Sequence, residues 1–397
     1  MKSGVACRQK KFVTADMSKF TLKADEGSSK IGMCSKISLV VPTHNRPHFV
    51  RRLLSYYLSV HTDFRIIVID SSEPAMAAEN HMLMTSFNDA GSLQVEYHHT
   101  SEKFSPECPP IVHEKIQWAL TMVSSPYVAL CADDDFIVPG TALKCAEFLD
   151  QNPDYCCARG KIYEFSINDG SMRLTPCLQY DSIDAASAAE RVWLASRYYQ
   201  QCFYAVFRTG SMTELQNAIP KEFLRSPSWL DELAFSTFAA SLGKIKRTDS
   251  PYEYREIHHG NYGHKVDRWP DLICNADNSR LTRLYISSLS SLIRKASPHL
   301  EEAMADKAAH SSLIAFSKWY YDTRYRDSHN RPCGSGTLER RDFLQRALDK
   351  LNALRHRFKT ELHRRRAMRF LETQKVMAAV AQYQSWQQPA AASSHTS

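Results

Sequence analysis

Short apolar runs alternate with amphipathic segments through the first 150 residues of the chain. The apolar runs are rich in β-branched residues and too short for buried helices, which is typical of strands in a parallel sheet. They cover residues 37–41, 65–70 and 127–131. Between them, apolar residues recur at the steps of a helix, as in residues 49–58 and 112–123. This alternation predicts an open, mostly parallel α/β sheet with flanking helices.

The pattern becomes less regular in the second half of the chain. It predicts strands over residues 161–167 and 203–207 and a helix over residues 230–242. Residues 250–265, crowded with Tyr, Arg, His and Gly, are predicted as a loop. We divide the chain into a flexible arm (1–35), an α/β domain (36–265, with halves 36–150 and 151–265), a helical extension (266–335), a basic amphipathic helix (336–388) and a disordered tail (389–397).

Charge is concentrated in one segment. The chain has 50 Lys and Arg against 43 Asp and Glu, which gives a net charge of +7. Residues 338–375 hold 12 basic and 5 acidic side chains, so this segment accounts for the whole excess. The rest is charge-balanced, and the 43% of hydrophobic residues excludes disorder as the main state. A generally basic, nucleic-acid-binding body is therefore excluded as well.

The basic segment also carries an apolar stripe. Leu344, Leu351 and Phe358 recur at helical steps, and residues 364–366 form a run of three arginines beyond them. Three roles remain open: binding to an anionic membrane surface, binding to nucleic acid, or packing of the stripe against the α/β domain or a second chain. The sequence favours the first and the third of these over nucleic acid.

Nothing in the sequence resembles a secretion signal or a membrane span. Residues 1–13 contain no apolar core of a signal peptide, and no run of about 18 apolar residues occurs. The 11 cysteines include no Cys-x-x-Cys pair. These features predict a cytoplasmic protein with free thiols, peripheral at the inner face of the cell membrane if the basic helix binds lipid.

Three consecutive aspartates, Asp133, Asp134 and Asp135, follow the apolar run at 127–131. Adjacent carboxylates repel one another, and a divalent cation such as Mn²⁺ or Mg²⁺ offsets that cost while it binds substrate phosphates. A solvated acidic loop or a helix cap is the structural alternative. Polar clusters also follow the two preceding strands, and ligands of open α/β sheets bind at the carboxyl ends of the strands.

These motifs together resemble the family-2 glycosyltransferases of the GT-A fold. Residues 37–46 are similar to the first strand and turn of that family, Asp70 and Ser71 to its nucleoside-binding step, and residues 127–139 to its DXD strand and the proline that follows. The resemblance covers residues 36–265. It implies transfer of a sugar from a nucleotide-diphosphate donor, with UDP-sugar expected, and a divalent metal that holds the diphosphate.

The resemblance also implies roles for individual residues. Asp133 would face the ribose, and Asp134 or Asp135 would bind the metal. Many members have an acid where this chain has Ala132, which leaves the metal ligand open between the two aspartates. Lys115 would lie near the nucleotide, with an exposed helix lysine as the alternative. The donor pocket would be lined by Pro42, Thr43, Asn45, Arg46, Asp70 and Ser71.

An inverting transfer needs a carboxylate to accept the proton of the acceptor hydroxyl. In the family this base opens a helix about 100 residues after the metal motif, where Asp231 stands, with Glu232 as second choice. The family order is Glu-Asp, and the alternative is a pair of acids favoured by the helix dipole. Farther on, the stretch with His258 and His259 resembles the segment that closes the donor site, so one of these histidines would bind the metal or the diphosphate.

Two rival functions are considered. A nucleotidyltransferase of the same sheet type would carry a Gly-rich loop after the first strand, and residues 43–46 contain no glycine. A sugar-nucleotide- or nucleic-acid-binding protein without transferase activity would not need both the aspartate cluster and Asp231. The acceptor stays open between a carbohydrate, a lipid-linked molecule and another compound, with cell-surface polysaccharide or glycoconjugate synthesis as the expected setting.

Overall fold

A computed structural model describes eight segments of the chain: residues 35–89, 93–105, 111–168, 171–177, 181–223, 229–258, 279–322 and 371–387. Residues 1–34 of the predicted arm, residues 338–370 of the basic segment and the predicted tail lie outside these segments.

The described residues form strands and helices in alternation up to residue 151 and in mixed order after it. The strands are β1 (Ile37–Thr43), β2 (Arg65–Asp70), β3 (Gln94–His99), β4 (Tyr127–Leu130), β5 (Phe136–Ile137), β6 (Tyr155–Asn168), β7 (Ser171–Pro176), β8 (Val206–Arg208) and β9 (Lys244–Glu256). The helices are α1 (Pro47–Ser59), α2 (Pro74–Asp89), α3 (Val112–Leu120), α4 (Pro139–Gln151), α5 (Ala188–Tyr198), α6 (Thr209–Ala218), α7 (Trp229–Leu242), α8 (Ser279–Ala296), α9 (Glu302–Tyr320) and α10 (Leu371–Gln387).

The strands form one mixed sheet of nine strands in the order β3-β2-β1-β4-β8-β6-β9-β5, with β7 paired to β6. The first four strands in this order are parallel. Six of the nine strands run in one direction, because β5, β7 and β8 are each antiparallel to their partners while β6 and β9 are parallel to each other. The predicted fold class, a mostly parallel α/β sheet with flanking helices, is confirmed.

Helices cover both faces of this sheet. Leu39 and Ile66 belong to the core on the side of α1 and α4, whereas Val40 and Ile67 belong to the core on the side of α3, α5 and α7. All four side chains are fully buried. The central strands are therefore apolar at successive positions, as expected for strands that are covered on both faces.

Strand β9 corrects the predicted loop over residues 250–265. It continues to Glu256 and lies between β6 and β5, so both of its edges are hydrogen bonded. Tyr252 and Tyr254 are fully buried, which explains why an aromatic stretch that reads as a loop is a strand. The predicted strand at 203–207 is shorter than expected, because Ala205 closes a turn on Cys202 before β8 begins.

The described part of the predicted helical extension packs on the second half of the α/β domain. Helix α9 contacts α5, and α8 contacts α7. The buried Tyr285 hydroxyl donates to Thr237 Oγ1 at 3.1 Å and lies 2.7 Å from Ser312 Oγ, so it links all three helices α7, α8 and α9. The extension is thus part of the core that supports α7.

The last described helix, α10, packs against α1 and β9. Val376 and Val380 are fully buried, and the Thr373 hydroxyl is hydrogen bonded to Tyr254. Residues 371–375, the end of the basic segment, belong to this helix. Of the three roles left open for the segment, packing against the α/β domain therefore applies to its end. Within the eight described segments, no helix combines the length and the apolar character needed to cross a membrane, and the six cysteines there are free thiols.

Candidate active site

The polar clusters that follow the strands meet at one edge of the sheet. Strands β1, β2, β4 and β9 run in the same direction, and the end of β9 reaches the aspartates, where the Glu256 N–H donates to Asp135 Oδ1 at 2.9 Å. Thr43 is opposite Asp70 in the β1–β2 register, and its hydroxyl donates to Asp133 Oδ2 at 2.6 Å. Pro42 lies in β1 opposite Ile69. The edge that the sequence indicated is therefore a cluster of buried polar side chains that lie close together.

Asp133 is held by donors from the first turn of the site. Besides the hydroxyl of Thr43, it accepts a hydrogen bond from Arg46 at 2.7 Å. Burial raises the pKa of Asp133 to about 6, although the Arg46 charge acts in the opposite direction. The carboxylate is ionised at neutral pH, and its two oxygens accept hydrogen bonds from Thr43 at the end of β1 and from Arg46 in the turn after it.

Asp134 is the point where three distant parts of the chain meet. Its Oδ2 atom lies 2.8 Å from an Arg46 nitrogen and 2.9 Å from His258 Nε2. The same Arg46 nitrogen is 3.2 Å from His258 Nε2. The Arg46 guanidinium thus lies between the Asp134 carboxylate and the His258 imidazole. Both of these groups are of the kinds that serve as metal ligands.

Asp135 points away from this meeting point and into the protein. Its Oδ1 atom accepts a hydrogen bond from the backbone N–H of Glu256 at 2.9 Å. Burial, together with the neighbouring charge of Asp134, raises the pKa of Asp135 well above its ordinary value. The three aspartates therefore face three different environments.

The donor set at Asp134 fits a divalent cation that takes few protein ligands. Within the described residues, no three side chains of His, Cys, Asp or Glu form a complete metal site. Asp134 and His258 supply one oxygen and one nitrogen, and such ions complete their coordination with water and substrate phosphates. His259, the other predicted histidine, lies outside the described residues.

Asp70 is fully buried and already accepts hydrogen bonds from the protein. The Ser72 N–H donates to it at 2.7 Å, and Asn80 and the Tyr97 hydroxyl each donate at 2.8 Å. Ser72 Oγ also accepts the Asn45 N–H at 2.6 Å. The loops after β1 and β2 are thereby joined around Asp70.

The backbone of this turn is unusual at Asn45, whose φ is 53°. Asn tolerates this left-handed conformation better than most residues, because its short side chain can hydrogen bond locally. Its Oδ1 accepts the N–H of Glu73 at 2.8 Å, and the N–H of Ser71 donates to Thr43 O at 3.2 Å. The turn is therefore held to the start of α2.

Lys115 is buried, so the alternative of an exposed helix lysine is wrong. Only 5% of the residue is accessible, and its Nζ donates to the carbonyl oxygen of Thr43 at 2.8 Å. Burial lowers the pKa of Lys115 to about 8, while the charges of Asp70 and Asp133 act against this shift. The Lys115 side chain therefore lies next to the carboxyl end of β1, where the polar cluster begins.

Asp231 and Glu232 lie in the first turn of α7, at the start of a helix as predicted. Asp231 Oδ2 is 3.9 Å from His113 Nε2, and the Tyr199 hydroxyl donates to Glu232. Burial lowers the pKa of His113, so this imidazole is neutral at neutral pH. The two acids thus lie beside His113 and Tyr199, which are not among the residues that contact the three aspartates.

Arg52 and Glu256 were not singled out by sequence reasoning. Arg52 is 1% exposed, lies 2.6 Å from Glu256 Oε2 and donates to the carbonyl oxygen of Asp134 at 2.7 Å. The spacing of Arg52 is a sequence signal for its burial. Arg52 stands three residues after Phe49 and four before Tyr56, on the apolar stripe of α1.

No protein-family model matches the sequence, and no curated protein matches it. Solved structures match at low identity. Residues 1–349 of S. aureus TarS in complex with UDP-GlcNAc are 17% identical, with a TM-score of 0.47, covering 89% of this chain and 92% of that one. The mannosyltransferase PcManGT from Pyrobaculum calidifontis, in complex with GDP-Man and Mn²⁺, is 11% identical, with a TM-score of 0.41, covering 89% of this chain and 88% of that one.

Proposed function

We propose that this protein is a metal-dependent glycosyltransferase that moves a sugar from a nucleotide-diphosphate donor, a UDP-sugar in the first instance, to an acceptor hydroxyl. The observation that carries the proposal is the meeting of Arg46, His258 and Asp134 at the carboxyl edge of the sheet. In open α/β sheets, ligands bind at this edge. Here it brings the Arg46 guanidinium together with Asp134 and His258, two side chains of the kinds that bind metals.

The donor is proposed to lie across the loops after β1 and β2. The Arg46 side chain is 27% exposed, so its guanidinium can reach a phosphate, a geometry that the planar group suits well. Thr43 and Asn45 would line the pocket, and Asp133 would face the ribose. Lys115 would contribute positive potential from behind β1.

The metal is proposed to bind Asp134 and His258, and Asp135 is the alternative carboxylate. Mn²⁺ and Mg²⁺ both accept oxygen ligands together with phosphates. When bound, such an ion would neutralise the charge that develops on the leaving diphosphate. Asp135 is the weaker candidate, because its carboxylate is buried and bonded to the backbone of Glu256.

Asp231 is proposed as the general base of an inverting transfer. The acceptor oxygen would form its bond to the anomeric carbon as the bond from that carbon to the diphosphate oxygen breaks. The hydroxyl proton would move to the Asp231 carboxylate. Glu232 is the alternative base: its carboxylate accepts a hydrogen bond from the Tyr199 hydroxyl, whereas Asp231 Oδ1 accepts the N–H of Glu232 at 2.9 Å.

The decisive experiment combines binding and turnover. Nucleotide sugars are screened by thermal shift with Mn²⁺, followed by assays of donor hydrolysis and transfer. We expect the double variant with Asp134→Ala and Asp135→Ala to lose both activities, and Asp154→Ala, which removes a surface acid paired with Lys244, to keep them. Full activity of the double variant would contradict the metal assignment. Donor binding without turnover in the unmodified protein would favour a binding function instead.

We propose a cytoplasmic enzyme that uses residues 338–375 to approach an anionic membrane surface, where a lipid-linked or other glycan acceptor would be found. Deleting this segment would also remove the start of α10. A better test replaces Arg364, Arg365 and Arg366 with Ala and measures flotation with vesicles that contain anionic lipid. Flotation of neither protein would argue against membrane binding, and equal flotation of both would argue against a role of the three arginines.

A further inference from the structure

We propose that Arg52 is a positioning residue that holds the two metal ligands, Asp134 and His258, in register with each other. The inference rests on the proposed metal-dependent function. One Arg52 nitrogen donates to the carbonyl oxygen of Asp134 at 2.7 Å and lies 2.6 Å from Glu256 Oε2. A single guanidinium on α1 therefore joins the aspartate loop to the end of β9.

Glu256 connects Arg52 to the other residues of the site. Its backbone N–H donates to Asp135 Oδ1 at 2.9 Å, and His258 follows two residues later. His258 Nε2 lies 2.9 Å from Asp134 Oδ2. The ligands come from two elements whose backbones pair at Phe136 and Ile137 of β5, with a further hydrogen bond from the Val138 N–H to the Tyr252 carbonyl oxygen at 2.8 Å. The Arg52–Glu256 pair is a side-chain link beside that short ladder, in addition to the bond between Asp135 and the Glu256 N–H.

The surroundings of Arg52 hold its guanidinium in one place. Its central carbon lies 4.9 Å from the ring centre of Phe49, 5.1 Å from that of Phe136 and 6.0 Å from that of Phe165. Cations are attracted to aromatic faces, and the effect grows when water is excluded. A buried ion pair is costly to desolvate and is weak evidence for stability alone. Because the Arg52–Glu256 pair lies beside the aspartates, its role is to position the residues of the site.

Arg52 differs in this respect from the other arginine of the site. Arg46 contacts the carboxylates directly and is 27% exposed, so it can turn toward a bound donor. Arg52 contacts a backbone carbonyl and a buried glutamate, and it is almost completely enclosed. It acts through Asp134 and Glu256 and does not touch the ligand position itself.

The test is Arg52→Lys, which keeps the charge but replaces the planar guanidinium, held among the rings of Phe49, Phe136 and Phe165, with a compact ammonium group. Arg65→Lys is the matched control, because Arg65 also binds a glutamate, Glu96, and a backbone carbonyl, that of Met122, at the other end of the sheet. The Mn²⁺ dissociation constant is measured by electron paramagnetic resonance. UDP affinity without metal and the melting temperature are measured on the same samples.

We expect Arg52→Lys to weaken Mn²⁺ binding by about 10- to 100-fold, the usual effect of losing a partner of a metal ligand. UDP affinity without metal should be unchanged, and in turnover assays KM for Mn²⁺ should rise while kcat at saturating Mn²⁺ is kept. Arg65→Lys should match the unmodified protein. Glu256→Gln removes the same ion pair from its other side and should weaken Mn²⁺ binding too, which provides a second test if Arg52→Lys does not fold.

Unmodified protein that binds Mn²⁺ no more tightly than both variants would overturn the positioning role and leave the proposed function intact. A parallel loss of Mn²⁺ affinity, UDP affinity and melting temperature would also overturn it, because that pattern means general destabilisation. Unmodified protein that binds neither Mn²⁺ nor a nucleotide sugar would refute the proposed function itself.

Discussion

Lys115 donates from its buried ammonium group to the carbonyl oxygen of Thr43, at 2.8 Å. Thr43 in turn donates its hydroxyl to Asp133, so one residue at the end of β1 lies between a buried cation and the aspartate cluster. The carbonyl is a neutral acceptor, and the compensation for the buried charge comes from the more distant carboxylates of Asp70 and Asp133. The proton on Lys115 is held less tightly than in water.

The first prediction concerns the pH dependence of stability at Lys115. Its pKa falls from 10.5 to about 8 on folding, so between these values the unfolded chain binds more protons than the folded one. Stability contributed by this group therefore rises with pH from about 8 to 10.5, by up to about 3 kcal/mol. Lys115→Met should remove this rise. Urea unfolding of both proteins at pH 7.5 and pH 9.5 measures it, and equal slopes against pH would contradict the assignment.

Asp133 gives a second pH effect with the opposite slope. Burial raises its pKa from 3.8 to about 6, so the folded protein binds more protons than the unfolded chain in this window. Stability contributed by Asp133 therefore falls as pH rises from about 4 to 6, by about 3 kcal/mol. Asp133→Asn should flatten the curve there. Asp150→Asn, at an exposed carboxyl with a lowered pKa, serves as the control and should not remove the fall.

The third prediction separates the two acids that open α7. Asp231→Asn should leave donor affinity unchanged and lower kcat by about 10²- to 10⁴-fold, the usual contribution of a general base. Glu232→Gln should retain most of the turnover and mainly reduce stability, because its carboxylate accepts the buried Tyr199 hydroxyl. Single-turnover assays with pre-bound donor give the comparison. The reverse ranking of the two variants would move the base to Glu232.

The fourth prediction concerns the packing of α10. Val376 is fully buried against α1 and its neighbours in the core, so Val376→Asp would place a carboxylate without a partner among apolar side chains. We expect a loss of about 3 kcal/mol or more in the free energy of unfolding. Gln374→Asp, at an exposed position of the same helix, is the control and should be nearly neutral. Equal melting temperatures for both variants would mean that α10 does not pack here in solution.

The sheet and its polar edge could be predicted because both leave local signals. Apolar runs of strand length lie before each polar cluster, and parallel strands bring their carboxyl ends to one edge. The three aspartates, Thr43 and Arg46 were placed together on this basis, and the structure brings them into contact. Their roles in catalysis stay predictions.

Features that depend on distant contacts could not be predicted in this way. The end of β9 reads as a loop, because its tyrosines are buried only by pairing with strands from other parts of the chain. Arg52 stands on the apolar stripe of α1, but a charged residue next to Arg51 is ordinarily expected to be exposed, and its burial becomes evident only from the packing of α1 against α10. The buried state of Lys115 was left open for the same reason.

The spacing of the site along the chain has a consequence for how it assembles. Arg46 and Asp134 are 88 residues apart, whereas His258 is a further 124 residues beyond Asp134. A chain that emerges from the ribosome amino terminus first contains Arg46 and the aspartates well before β9. Arg46 is therefore available to neutralise the acids of the nascent domain, while the histidine that would complete a metal site arrives late. In the proposed function, a metal site built on Asp134 and His258 would therefore be complete only after β9 has joined the sheet.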